Sequence, residues 1–205
     1  EARVYAEDPF RGFLPSIGRL TRYTPPEENE NVRVDTGVFE GSEISIYYDP
    51  MIAKLVTYRE TREQAIDEMR QALDAYYIRG IAHNIPFLSA VMAHERFRCG
   101  NISTNFIAEE YPDGFQGGNI SDALAVVFVG CATFLNAVER SRKSTISGQI
   151  TNTPPPLRKD WVVAVNDKLL PVIIAQSAQG AQVFVDGENI QIVSDWVPGD
   201  PVFKG

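Results

Sequence analysis

Three charged side chains have aromatic and aliphatic neighbours in stretches whose residues alternate as in β-strands. They are the first candidates for a binding or catalytic role. Arg3 lies in the opening segment Glu1–Pro9, and Asp49 and Lys54 lie in the segment Tyr47–Leu55. Burying a charge costs several kcal/mol unless the charge is paired. An arginine carries a permanent charge and a planar set of hydrogen-bond donors. Arg3 is therefore the best candidate to hold bicarbonate, a carboxylate or an enolate oxygen.

The same three residues have structural explanations, which the sequence leaves open. A pairing of Arg3 with Glu7 or Asp8 at a strand edge explains the arginine at least equally well. Asp49 belongs to an Asp-Pro turn, and the stem of Lys54 can lie on apolar surface while its ammonium group stays in water. The residues alone favour these structural roles for Asp49 and Lys54.

Complete catalytic motifs are absent from the sequence. It contains no GxxxxGKS/T phosphate loop, no GxGxxG, no HExxH and no GxSxG elbow. Cys99, Cys131, His83 and His94 are isolated, so we expect reduced thiols and no metal site. The net charge of −8 and the pI near 4.8 argue against a nucleic-acid partner, because phosphate binding needs clustered cations. We expect the chain to supply part of a site, as a fragment of a longer protein.

The first half of the chain is predicted to mix strands and helices. β-Branched and aromatic runs separated by turn residues predict strands over Val32–Val38, Glu43–Tyr48 and Ala53–Tyr58. Thr61 and Gln64 have the spacing of a capping box at the start of an amphipathic helix, which Gly80 is expected to close. Shorter helices are predicted over Pro86–Ala93 and Thr104–Glu110. Asn84 is expected to cap the first of these.

The character of the sequence changes after the glycine-rich segment Tyr111–Gly118, which predicts a domain boundary. Ser121 or Asp122 can cap a helix over Ala123–Val138, which is apolar on every side. A membrane span needs about 20 apolar residues, so we expect no membrane and a helix that is enclosed by protein instead.

Four short strands are predicted to surround this helix. They follow a stiff linker at Thr153–Pro156 and cover Trp161–Val165, Leu170–Ala175, Ala181–Val185 and Asn189–Trp196. Asn166-Asp167 and Asp186-Gly187 are expected to be hairpin turns between them. The predicted fold class is α+β: a mixed α/β first domain, then a long apolar helix with antiparallel strands that form a partial β-barrel.

Ordered motifs in residues 1–115 resemble the C-terminal part of biotin carboxylase domains. In chain order they are Glu1–Pro9, Phe13–Leu20, Val32–Gly37, Gly41–Met51, Tyr77–Gly80, Ile85–Leu88, Gly100–Thr104 and Tyr111–Phe115. The second and the last resemble propionyl-CoA carboxylases more than acetyl-CoA carboxylases. Residues 119–205 resemble, more loosely, the region of the propionyl-CoA carboxylase α subunit that joins its catalytic domain to its biotin carrier.

The resemblance implies two domains and one reaction. Residues 1–115 would be a biotin carboxylase C-terminal subdomain, and residues 116–205 a linker helix with a truncated docking (BT) domain. The family carboxylates biotin at the expense of ATP, with Mg²⁺ and bicarbonate, and passes the carboxyl group to an acyl-CoA. The nucleotide site and the biotinylated lysine are expected outside this chain, so the fragment is expected to bind no cofactor and to be inactive. A related acetyl-CoA or methylcrotonyl-CoA carboxylase, with the isolated fragment only a non-catalytic interaction module, is the alternative.

The resemblance also implies site residues and partners. Arg3 matches the family's arginine that contacts bicarbonate and stabilises the biotin enolate, Asp49 lies in a segment that lines the same side of the site, and Arg33 matches a position at the catalytic-domain dimer interface. The implied partners are a carboxyltransferase β subunit, the biotin carboxyl carrier domain of the same parent chain and a second biotin carboxylase domain. The expected location is the cytoplasm in a bacterium or the mitochondrial matrix in a eukaryote.

Overall fold

The structure is a computed structural model that describes residues 1–118, 120–148, 158–165, 168–177 and 180–205. The chain divides into two compact units, Glu1–Gly118 and Asn119–Gly205. Both combine helical structure with antiparallel strands, which confirms the predicted mixture of α and β structure. The predicted linker Thr153–Pro156 and the predicted turn Asn166-Asp167 lie outside the described residues.

The first unit contains nine short strands and four helices. The strands are β1 (Ala2–Tyr5), β2 (Glu7–Asp8), β3 (Leu14–Pro15), β4 (Gly18–Arg19), β5 (Arg22–Thr24), β6 (Val32–Thr36), β7 (Glu43–Ile44), β8 (Met51–Thr57) and β9 (Tyr77–Arg79). The helices are α1 (Arg62–Asp74), α2 (Ile85–Ala93), α3 (Glu95–Arg98) and α4 (Phe106–Glu110), and a 3₁₀ turn covers Pro9–Arg11.

A three-stranded antiparallel sheet in the order β1-β8-β6 organises the first unit. Alternate residues of β1 and β8 point into a core in which Val4 and Leu55 are fully buried. Helix α1 covers this side with Ile66, Met69 and Leu73, at the three- and four-residue spacing that the sequence predicted. Complete burial of an aliphatic side chain of this size is worth about 2 kcal/mol, so the sheet–helix contact is a main source of stability.

Strand prediction succeeded for β6 and β8 and failed for most of Glu43–Tyr48. Only Glu43–Ile44 pairs, with Gly18–Arg19 of β4. Beyond it, the Ser45 hydroxyl accepts a hydrogen bond from the backbone of Tyr47, and the Asp49 carboxylate accepts one from the backbone of Met51. These side-chain bonds turn the backbone instead of extending it.

The first long helix begins as predicted but ends earlier. The Thr61 hydroxyl accepts a hydrogen bond from the backbone of Gln64 at 3.3 Å, which is half of the predicted capping box. The helix ends at Asp74 with Ala75 in a right-handed conformation, so Gly80 does not close it. Gly80 instead follows β9 with φ of +104°, where its α-carbon passes close to the backbone of Arg19.

The second unit is one helix on one sheet. Helix α5 spans Asp122–Ser144, and the Ser121 hydroxyl caps it by accepting from the backbone of Leu124. The strands are β10 (Asp160–Val165), β11 (Lys168–Ser177), β12 (Gly180–Val185) and β13 (Glu188–Val193), antiparallel in that order. Asp186 and Gly187 both have positive φ and join β12 to β13 in the predicted hairpin.

Helix α5 is covered on one side only, so the prediction of a helix enclosed by protein is wrong for the described residues. Val129, Phe134 and Ala137 pack on the inner face of the sheet. Leu124, Val127 and Phe128 are about half exposed, because a four-stranded sheet covers one face of a helix; we call these three residues the exposed α5 face. By length and composition alone α5 is also long and apolar enough to cross a membrane. This is weak evidence for a membrane span, because core helices of soluble proteins pass the same test.

The outer face of this sheet carries exposed apolar residues where alternating strands normally place polar ones. Val162 is 67 % exposed, Ile173 52 % and Phe184 43 %. Ile173 of β11 and Phe184 of β12 lie directly opposite each other across the strands. We call Val162, Ile173 and Phe184 the outer patch. A contiguous exposed apolar surface of this kind typically marks an interaction site.

We expect Gly80→Ala to lower the free energy of unfolding by about 3 kcal/mol or more. A Cβ atom at this position would lie 2.1 Å from the Arg19 carbonyl oxygen and 2.9 Å from the Thr21 nitrogen, both backbone atoms that cannot move aside. Gly12→Ala is the matched control, because Gly12 also has positive φ but no atom within 4 Å of a Cβ, and it should cost about 1 kcal/mol. Equal losses in urea unfolding of the two variants would contradict this account.

Candidate functional site

Arg3 lies on the side of β1 that faces away from the core. Its neighbours Ala2 and Val4 are buried, whereas the Arg3 side chain is 57 % exposed. The alternation of a strand therefore presents the guanidinium group to solvent on the open face of the sheet.

A row of charges crosses the open face at the level of Arg3. Lys54 of β8 is the direct cross-strand neighbour of Arg3, and Asp35 of β6 is the direct neighbour of Lys54 on its other side. Paired residues of an antiparallel sheet project to the same face, so the three charges share one surface. Two cations in direct opposition destabilise a sheet unless negative charge balances them.

The balancing charge next to Arg3 is a carboxylate. Arg3 Nε donates a hydrogen bond of 3.0 Å to Glu1 Oε1, and this bond raises the pKa of Arg3 and lowers the pKa of Glu1. Arg3 thus pairs with neither Glu7 nor Asp8, the two acids that the sequence suggested. The geometry shows that the guanidinium group can hold a planar oxyanion at this surface.

Arg33 lies on the same open face but on β6, the strand at the opposite edge of the sheet. Its side chain is 65 % exposed and forms an ion pair of 3.2 Å with Asp35. Arg33 is therefore placed at a sheet edge that a second protein surface can reach, and it is separated from Arg3 by the width of β8.

Asp49 lies in the turn before β8, at the other end of β1 from Arg3. Met51 is paired with Tyr5, whereas Arg3 is paired with Lys54, so Asp49 lies roughly 10 Å or more along the strands from Arg3. Its charge acts on Glu7 instead. Burial raises the pKa of the Glu7 carboxyl above its ordinary value, and repulsion from Asp49 raises this pKa further.

Asn84 also lies in this region, although the sequence predicted that it caps a helix. It occupies the N-cap position of α2, but its side chain makes no capping hydrogen bond, so that prediction is wrong. The side chain points to β1 instead, where its amide bonds to the Arg3 carbonyl and its oxygen to the Tyr5 backbone N–H. An asparagine before a helix signals a cap, and no local signal in the sequence distinguishes the two uses.

The other titratable groups near α2 do not form a ligand site. His83 Nδ1 is buried without a hydrogen-bond partner among the described residues. Burial lowers the pKa of His83, and the charge of Arg79 lowers it further. The described residues contain no group of three His, Cys, Asp or Glu that could hold a metal ion.

Two family models match the chain. Residues 1–109 match the biotin carboxylase C-terminal domain, and residues 128–205 match the propionyl-coenzyme A carboxylase BT domain.

Individual relatives extend these matches. The propionyl-CoA carboxylase α chain of Ruegeria pomeroyi is 47 % identical over 98 % of this chain and 32 % of its own length. The mitochondrial propionyl-CoA carboxylase α chain of Caenorhabditis elegans is 51 % identical over 73 % of this chain and 21 % of its own length. The present chain thus spans about a third or less of the relatives that it matches.

A solved structure resembles the chain over about half of its length. The biotin carboxylase domain dimer of the 2-oxoglutarate carboxylase of Hydrogenobacter thermophilus, in complex with MgADP, ADP and bicarbonate, is 42 % identical over the matched part, with a TM-score of 0.52. The match covers 54 % of this chain and 24 % of that one.

We expect Asp49→Asn to stabilise the chain at neutral pH and not in acid. A carboxyl whose folded pKa is raised stabilises the fold fully below its unfolded pKa, and this contribution is lost as pH rises through the folded pKa. Removing the Asp49 charge reduces the stabilisation that is lost when Glu7 ionises. An asparagine side-chain oxygen can still accept the hydrogen bond from the Met51 backbone N–H.

The free energy of unfolding of Asp49→Asn should exceed that of the unmodified chain by about 0.5 kcal/mol at pH 7 and by nothing below pH about 4. Asp113→Asn, at an exposed carboxylate, is the control and should show no such trend. A difference that is the same at both pH values would contradict the assigned repulsion.

Proposed function

The chain belongs to the biotin carboxylase C-terminal domain family over residues 1–109, followed by a propionyl-CoA carboxylase BT domain over residues 128–205, and from this premise we propose its function. It is part of the α chain of a propionyl-CoA carboxylase and contributes to the ATP- and bicarbonate-dependent carboxylation of biotin. The BT match supports the propionyl-CoA enzyme over the acetyl-CoA and methylcrotonyl-CoA alternatives.

The observation that carries the proposal is the placement of Arg3. It is a cation on an open sheet face, beside a second cation at Lys54, and it already holds the carboxylate of Glu1. Bicarbonate is also a small planar oxyanion, and the Hydrogenobacter domain was solved with it. We therefore assign Arg3 to bicarbonate and to the oxygen of the biotin ureido group.

The chemical role of Arg3 follows from its charge. Loss of the ureido N–H proton to a base of the longer chain would make this nitrogen nucleophilic and would leave negative charge on the ureido oxygen of biotin. A guanidinium group placed at that oxygen stabilises the developing charge, and Arg3 remains protonated throughout because its pKa lies far above neutrality. Asp49 is proposed to line the same side of the site because its segment resembles the family, although its turn lies roughly 10 Å or more along the strands from Arg3.

Other parts of the reaction are assigned to other residues of a longer chain. ATP and Mg²⁺ supply the activation of bicarbonate in this family. The sequence contains no phosphate loop, and the described residues contain no carboxylate cluster for a metal. The residues present thus do not fit the nucleotide or the metal, and we propose that the 205-residue chain alone is inactive.

The two halves have different tasks in this proposal. Residues 1–115 form the biotin carboxylase C-terminal subdomain, and residues 116–205 form the docking domain for the carboxyltransferase β subunit. The outer patch supports docking because it is apolar and open to a partner. The partial barrel around α5 also remains a proposal, supported by the exposed α5 face, which further strands would have to cover.

Three further assignments complete the proposal. Arg33 contacts a second biotin carboxylase domain, supported by its exposure at a sheet edge and by the dimer in the Hydrogenobacter structure. The biotin carrier domain of the same parent chain delivers biotin to the open face near Arg3. The location is the cytoplasm in a bacterium or the mitochondrial matrix in a eukaryote, since relatives of both kinds match.

We expect Arg3→Ala in the full-length α chain to reduce the bicarbonate-dependent carboxylation of free biotin by at least about a hundredfold. The side chain is exposed and outside the core, so the melting temperature should stay within about 2 °C of the unmodified protein. Arg22→Ala, an exposed arginine that is also held by one carboxylate, is the matched control and should retain turnover. Full activity of Arg3→Ala would refute the assigned role.

We expect Phe184→Asp in the full-length α chain to weaken binding of the carboxyltransferase β subunit at least about tenfold, because it places a charge in the outer patch. Gln182→Asp is the control: Gln182 is exposed on the same face of β12, two residues away, and already polar. Titration calorimetry gives the two dissociation constants, and near-UV spectra show that both variants are folded. Equal binding by both would exclude the outer patch as the docking surface.

A further inference from the structure

The outer edge of β1 has no neighbouring strand, and a single side chain takes the place of one. The sheet order is β1-β8-β6, so β1 pairs on one side only. Ala2 and Val4 are aligned with Leu55 and Ala53 of β8, and the backbone groups of Arg3 and Tyr5 point the other way. In the interior of a protein such groups must find other partners.

Asn84 satisfies three of these groups. Its Nδ2 donates to the Arg3 carbonyl oxygen at 3.1 Å, and its Oδ1 accepts from the Tyr5 N–H at 2.9 Å. Its own backbone N–H donates to the Tyr5 carbonyl oxygen at 3.1 Å. The carboxamide group imitates the peptide group of a neighbouring strand. No acid, alcohol or aliphatic residue of this size combines an N–H donor with a carbonyl acceptor.

The position needs this support. The pairing of β1 with β8 shifts register between Val4 and Tyr5, so the regular ladder is interrupted at the Tyr5 end of the strand, within two residues of Arg3. Asn84 is 6 % exposed and is one of two buried polar residues among the described part of the chain, the other being Thr133. Because its side chain bonds to β1, it leaves the first turn of α2 without a side-chain cap.

The guanidinium group of Arg3 depends on its backbone for its position. It is exposed, and its ion-pair partner Glu1 is only two residues away, on the same segment. The ion pair with Glu1 does not fix Arg3 relative to the rest of the unit, and pairing with β8 fixes only the inner edge of its strand. The bonds from Asn84 fix the outer edge, because Asn84 is joined to α2, which packs on β1.

We propose that Asn84 is a positioning residue for Arg3: it holds the backbone of Arg3 and Tyr5 at the edge of the sheet, so that the guanidinium group stays in place for the anionic oxygen on which it acts. This inference rests on the proposed function of Arg3. A displacement of about 1 Å at a reacting group can reduce turnover a hundredfold, so loss of the Asn84 side chain is expected to lower the rate in addition to destabilising the sheet edge.

The test compares single variants of the full-length α chain in bicarbonate-dependent carboxylation of free biotin. Asn84→Ala should lower kcat about tenfold to a hundredfold and leave the KM for ATP unchanged, with a fall in melting temperature because two backbone groups of β1 lose their partners. Thr61→Ala is the matched control for stability, because it removes the hydroxyl that caps α1 and lies outside the proposed site. It should lower the melting temperature to a similar degree without changing kcat.

A second measurement separates positioning from general damage. Asn84→Ala is combined with Arg3→Lys, which keeps a cation but loses the planar donor set. If Asn84 acts through Arg3, its removal should lower kcat less than about threefold in the Arg3→Lys background. The same loss in both backgrounds would overturn the inference, as would an unchanged kcat for Asn84→Ala or an equal loss for Thr61→Ala. An active Arg3→Ala enzyme would instead refute the proposed function of Arg3 itself.

Discussion

The first unit depends on one constraint: the backbone groups on both edges of strand β1 must have hydrogen-bond partners. One edge of β1 bonds to β8, which brings Arg3 beside Lys54 and buries Val4 against Leu55. The other edge bonds to Asn84, which joins the strand to α2. Buried backbone groups that lack partners cost about 1–3 kcal/mol each, so neither edge can be left open. Core packing and the placement of a functional cation thus follow from the same few hydrogen bonds.

The second unit depends on a different constraint, which is how much of the apolar surface of its helix a four-stranded sheet can cover. Its inner face is close-packed, and Gly130 lets α5 approach the sheet so closely that a Cβ atom would lie 3.1 Å from Ile190 Cδ1. Four strands cover one side of α5 and leave the other side exposed. The unit therefore carries apolar surface on both its helix and its outer sheet face. This distribution suits a domain whose task is contact.

Local patterns in the sequence predicted the elements whose causes are local. Thr61 and the apolar spacing behind it gave the start of α1, and Asp186-Gly187 gave the hairpin between β12 and β13. The failures have causes elsewhere in the chain. Asn84 bonds to a backbone group 81 residues away, which no cap rule can anticipate.

The candidate site was predictable only in part. The type and setting of Arg3 suggested an anion-binding cation, and resemblance assigned its chemistry. Its true partner, Glu1, was not among the acids that the sequence suggested. The depth of α5 in the protein also depends on how much sheet surrounds it, and periodicity within the helix does not report that quantity.

The two apolar surfaces of the second unit have a consequence for handling the protein in solution. The exposed α5 face and the outer patch lie on different elements, so a molecule that associates through one of them still presents the other. Such contacts are not limited to closed pairs and can continue from molecule to molecule. Association of this kind is governed by mass action, so a high protein concentration will drive the protein into open-ended assemblies. Dilution, or an excess of a binding partner, will keep it dispersed.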